Sequence, residues 1–125
     1  MNRMIQRLRQ FGGLLLLASL LATSHADANE IKNVMKDMKH AMRDAMDSTS
    51  IAEFSKYANQ LQNDAIMADK MQYHRNQAVY HKGLLQMQAE MDAVNQAVRA
   101  NDLNAAKSAL QKINVTKKQY HHLLH

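Results

Sequence analysis

The chain has no cysteine and no proline, and beyond residue 26 its only glycine is Gly83. Without cysteine there is no disulfide framework and no thiolate metal site. Without proline nothing forces a kink or a stop inside a helical segment. β-branched residues are sparse and no period-2 alternation occurs, so strands are not expected. No basic face gathers beyond Lys117-Lys118, which argues against a nucleic-acid or stable membrane-surface role. A Ser/His/Asp set, an inward carboxylate pair and a phosphate-cradling glycine loop are also missing, so an enzyme is not expected.

What is present begins with an export-like start. Arg3, Arg7 and Arg9 precede an apolar run from Phe11 to Ala22, and Ser24-His25-Ala26 supplies small residues where a leader would be cut. The run falls short of the ~20 residues that a membrane-spanning helix needs. These features predict a signal peptide over residues 1–26 and a secreted, periplasmic domain over 27–125. Losing the three arginines takes the 16 basic residues to 13, against 11 acidic ones, so the mature domain is close to neutral.

That domain is rich in Ala, Met, Leu, Gln and Lys, all good helix formers. A first helix is predicted over about Asn29 to Met46, with Ile31, Met35, Met38, Met42 and Ala45 inward. Lys32, Lys36, Asp37, Lys39 and His40 fall on its outer arc. Asp47-Ser48-Thr49-Ser50 breaks it, and Ser50-x-x-Glu53 reads as a capping box. The second helix turns Ile51, Phe54, Ala58, Leu61, Ala65 and Ala68 inward and fades near Met71. The third carries Val79, Gly83 or Leu84, Met87, Met91, Val94 and Val98. Asn101-Asp102 interrupts again, with Asp102 as N-cap of the fourth. Four amphipathic helices with short connections predict an all-α, antiparallel up-down-up-down bundle.

On the last helix, Leu103, Ala106, Leu110, Ile113, Lys117, Tyr120 and Leu124 share one face. His121 lies near its centre and His122 opposite. In this topology the start of the first helix and the end of the fourth meet at one end. At 1.5 Å per residue, Met35 and His121 both lie roughly 6–9 Å from that end. A thioether and an imidazole are thus expected to face each other across the core. Taken alone, either is as compatible with a core methionine and a half-buried histidine as with a ligand pair.

Two segments carry a family resemblance: Glu30-Ile31-Lys32-Asn33-Val34-Met35-Lys36-Asp37-Met38, and Val115-Thr116-Lys117-Lys118-Gln119-Tyr120-His121. They resemble the cytochrome b562 family of periplasmic haem-binding four-helix bundles, helix for helix over the mature chain. The resemblance implies one non-covalent b-type haem, with Met35 and His121 where the family has its axial ligands. It also implies electron transfer with a redox partner protein, and a monomer. Lys117 replaces the arginine usual one turn before the histidine and is expected near a haem propionate. Gly83 and Met87 stand where aromatic residues flank the family's haem, so Met87 is expected to supply a thioether contact. The connection between the second and third helices looks shorter than in the family.

Two rival readings follow from the residues. One is a cofactor-free helical bundle. The other is a soft-metal or copper carrier built on the methionines Met38, Met42, Met46, Met67, Met71, Met87 and Met91, with Met46 beside His40 as its nearest cluster. His74 and His81, two turns apart, are too far apart for one ion and are expected on a solvated face.

Overall fold

A computed structural model describes residues 28–124; the expected signal peptide lies outside them. Four helices follow one another: α1 (Ala28–Met46), α2 (Ile51–Asp69), α3 (Gln77–Arg99) and α4 (Leu103–Leu124). Among the described residues there is no strand, and no helix is long and apolar enough to cross a membrane.

Each junction has a local chemical cause. Ser48 is buried, and its Oγ donates to the Asp44 carbonyl at 2.9 Å, closing the end of α1. Ser50 then caps α2, accepting from the Glu53 amide at 3.1 Å. Asn76 caps α3 through the Val79 amide. Between α3 and α4 the chain reverses through Asn101, whose φ of 55° lies in the left-handed region that asparagine tolerates. Asp102 Oδ1 accepts from the Ala105 amide at 2.9 Å and opens α4.

The core is a column of apolar side chains from all four helices, centred on Met38, Phe54, Leu61, Met91, Val94, Leu110 and Ile113. Polar pairs tie neighbouring helices outside it. Gln60 Nε2 donates to the Asp37 carboxylate, Asn95 Nδ2 to Gln62 Oε1, and Thr116 Oγ1 to Glu90 Oε1 at 2.6 Å. The closest packed neighbours are α1 with α2 and α3 with α4, whereas α1 and α4 touch least of the adjacent pairs around the bundle. The bundle is therefore closed on three sides and parted along the fourth.

Two expectations are corrected here. The third helix buries Tyr80 and leaves Val79 only half-buried, so its inward stripe starts one residue later than the periodicity suggested. Asp37 does not lie in solvent on an outer arc. It is half-buried against α2, because the flank of α1 is covered by the helix packed beside it.

Candidate functional site

The parting between α1 and α4 forms a cleft of about 820 Å³, within the usual span of small-ligand sites. Ile31, Met35 and Met38 of α1 form one wall, and Tyr80, Gly83, Leu84 and Met87 of α3 form the floor. Lys117, Tyr120, His121 and Leu124 of α4 face them, and Tyr73 with His74 close the end from the α2–α3 connection. Met35 is half-buried and packs against the core, where its seam neighbours Ile31 and Met38 are buried. His121, expected near the centre of the inward face, is exposed although it lines the cleft; the last buried residue of α4 is Thr116. His122 borders a separate shallow concavity with Gln119, Tyr120 and Leu123. The two adjacent imidazoles thus serve different faces of the helix.

Gly83 explains how α3 and α4 approach. A Cβ built on it would lie 2.7 Å from Tyr120 Cγ and 2.8 Å from Cδ1, so the ring rests directly on the α3 backbone. That contact fixes the residue preceding His121.

The aromatic lining comes from Tyr80 and Tyr73, which the sequence reading did not assign to the site. Their rings stack with centroids 5.0 Å apart and an interplanar angle of 8°, and the Tyr73 ring lies 4.6 Å from that of His74. The Tyr80 hydroxyl donates to the Ala68 carbonyl at 2.5 Å, pinning the end of α2 to the start of α3. Burial, then the charge of Asp69 and the neighbouring Tyr73, push its pKa up to about 12. The signal available was the spacing of Tyr80 from Gly83, Leu84 and Met87, three, four and seven residues on, which puts it on their face. Met87 is buried in the floor, as the inward stripe required.

The expected solvated pair, His74 and His81, also has partners. His81 bonds through Nδ1 to the Asp69 carboxylate, and His74 lines the cleft. A basic face exists after all, because Lys32, Lys36, Lys39 and Lys117 all border the cleft. Burial, then Lys39 and Lys118, lower the pKa of Lys117. Of the methionines in the soft-metal reading, Met38, Met42, Met87 and Met91 are buried among the core side chains.

A carboxyl pair, not expected from the sequence, lies between α1 and α2. Burial, then hydrogen bonding and repulsion from Asp37, push Asp64 up to about 7. Asp37 is held below the ordinary carboxylate range by the bond from Asp64 and then by Gln60. The opposite shifts favour a singly protonated pair below about pH 7.

The family model of cytochrome b562 matches residues 30–125, almost the whole chain beyond the leader-like start, and the chain belongs to that family. Comparison with curated protein sequences gave no match.

Proposed function

We propose that this protein is a periplasmic electron carrier that binds one b-type haem non-covalently in the cleft between α1 and α4, with Met35 and His121 as axial ligands. The observation that carries the reading is the sharing of one cleft by a thioether from α1 and an imidazole from α4, in a chain of this family. The donor chemistry fits the group: both ligands are neutral, and the absence of cysteine makes covalent attachment through thioether links impossible. The lining fits too, being mainly apolar and aromatic, with Leu84, Met87, Tyr80 and Tyr120 available against a flat macrocycle. Lys117 and its neighbouring lysines supply cations for the propionates as point charges rather than as guanidinium forks.

When bound, the haem supplies a one-electron iron couple. The chain's own residues set its character. Met35 favours the ferrous state because thioether sulfur is soft and neutral. With Met35 and His121 both holding the iron, no coordination position would be left for a substrate, which would suit electron transfer rather than substrate chemistry. Tyr80, Leu84 and Met87, all buried in the cleft lining, would keep water from its inner edge. The leader-like first 26 residues support export.

Titration of the purified mature protein with haem tests the reading. It predicts saturation at one equivalent and a low-spin, six-coordinate spectrum in both oxidation states. A featureless, non-saturating titration would favour the cofactor-free bundle instead.

A further inference from the structure

Lys32, Lys36, Lys39 and Lys117 stand around the cleft with His40, His74 and His121, and among the described residues no aspartate or glutamate lines it. Overall composition does not require this, because the mature chain is nearly balanced in charge. The three α1 lysines recur at intervals of four and three residues, so they form a single stripe beside the Ile31-Met35-Met38 seam. All three are exposed, and Lys117 meets them half-buried from α4. Lys117 also feels the repulsion of Lys39 and Lys118, so lysines of α1 and α4 share one electrostatic neighbourhood at this rim. The two propionates of a bound haem would neutralise only part of such a ring. The cations surround a concavity, so a convex partner bearing carboxylates can reach all four, while a flat bilayer surface meets only the outermost.

We propose that this lysine ring is the docking surface for an acidic redox protein, which seats a carboxylate-rich patch over the cleft mouth and brings its own redox centre beside the haem. The proposal rests on the haem-carrier reading and names its partner's chemistry. Electrostatic steering of this kind raises association rates by about 10- to 1,000-fold at low ionic strength.

The probe is deca-aspartate, titrated into ¹⁵N-labelled holoprotein at low salt. Amide shifts should concentrate at Lys32, Lys36, Lys39 and Lys117, and fade as the screening length falls from roughly 30 Å at 0.01 M to 8 Å at 0.15 M. The variant Lys32→Glu/Lys39→Glu should lose the response, while Arg99→Glu/Lys107→Glu, with the same change in net charge at other positions, should keep it. Oxidation of the ferrous protein by hexacyanoferrate(III) should slow about tenfold in the first variant and less than about twofold in the second. Shifts spread over the whole surface, or equal losses in both variants, overturn the proposal. So does binding to phosphatidylglycerol vesicles with no response to deca-aspartate. The absorption spectrum of each sample separates the two claims. A missing bound-haem band ends the carrier reading, while the peptide titration on that sample still decides whether the ring binds acidic chains.

Discussion

The ring of Tyr120 lies where the side chain of any residue but glycine would stand at position 83, with Cγ only 2.7 Å from a Cβ built there. The close atoms are the root of the Tyr120 side chain, so rotating its far end relieves nothing. Gly83→Ala would gain up to ~1 kcal/mol of helix propensity. Overpacking costs typically ~1–3 kcal/mol, so the net effect is a loss of roughly 1 kcal/mol in urea denaturation. The same push moves α4 at His121 and should weaken haem affinity. Tyr120→Ala in the Gly83→Ala background should recover the helix gain. A single Gly83→Ala variant more stable than the native protein contradicts this contact.

The Asp37–Asp64 pair predicts a pH dependence. The folded pKa of Asp64, near 7, is above the ~3.9 of an unfolded aspartate, so its contribution is full below ~3.9 and lost as pH rises through about 7. Asp37, held below its ordinary value, contributes in the opposite sense and is lost only in acid. The pair is therefore most favourable with one proton shared, and it weighs against folding above pH 7. Denaturant midpoints of the native protein should fall between pH 5.5 and 8 more steeply than those of Asp64→Asn, which should be the more stable of the two at pH 8. Parallel profiles would contradict a shared proton.

Removing the Tyr80 hydroxyl tests the pin between α2 and α3. Ala68's carbonyl also accepts from the Met71 amide, so Tyr80→Phe does not leave it bare. The expected cost is about 1 kcal/mol. Hydrogen exchange should quicken at residues 70–76 while the α1–α2 turn stays unchanged; equal acceleration at both would contradict a local role.

Much of this was legible from periodicity. The four helices and the Ser50 and Asp102 caps follow from spacing, and the presence of Met35 and His121 in the lining of one cleft follows from topology. Asp37 was not legible because a single helical wheel shows the central seam, whereas α2 also covers the flank of α1. Tyr80 was missed because its phase differs from that of Val79 by only one residue. The lysine ring needed tertiary structure: the α1 stripe is visible in the sequence, but Lys117 joins it only across the gap that α1 and α4 leave.

Met35→Ala should lower the reduction potential of the holoprotein, because loss of the soft sulfur removes the preference for ferrous iron. The bundle itself should stay folded, since Met35 is only half-buried at the cleft edge. Potentiometry giving an unchanged value would place the sulfur ligand at another methionine.

The central claim is tested most directly by absorption spectra of the haem-loaded protein beside its His121→Ala and His122→Ala variants. The expected result is loss of six-coordinate, low-spin character in His121→Ala alone, with His122→Ala matching the native spectrum. Equal loss in both, or loss only in His122→Ala, would contradict ligation by the histidine that lines the cleft.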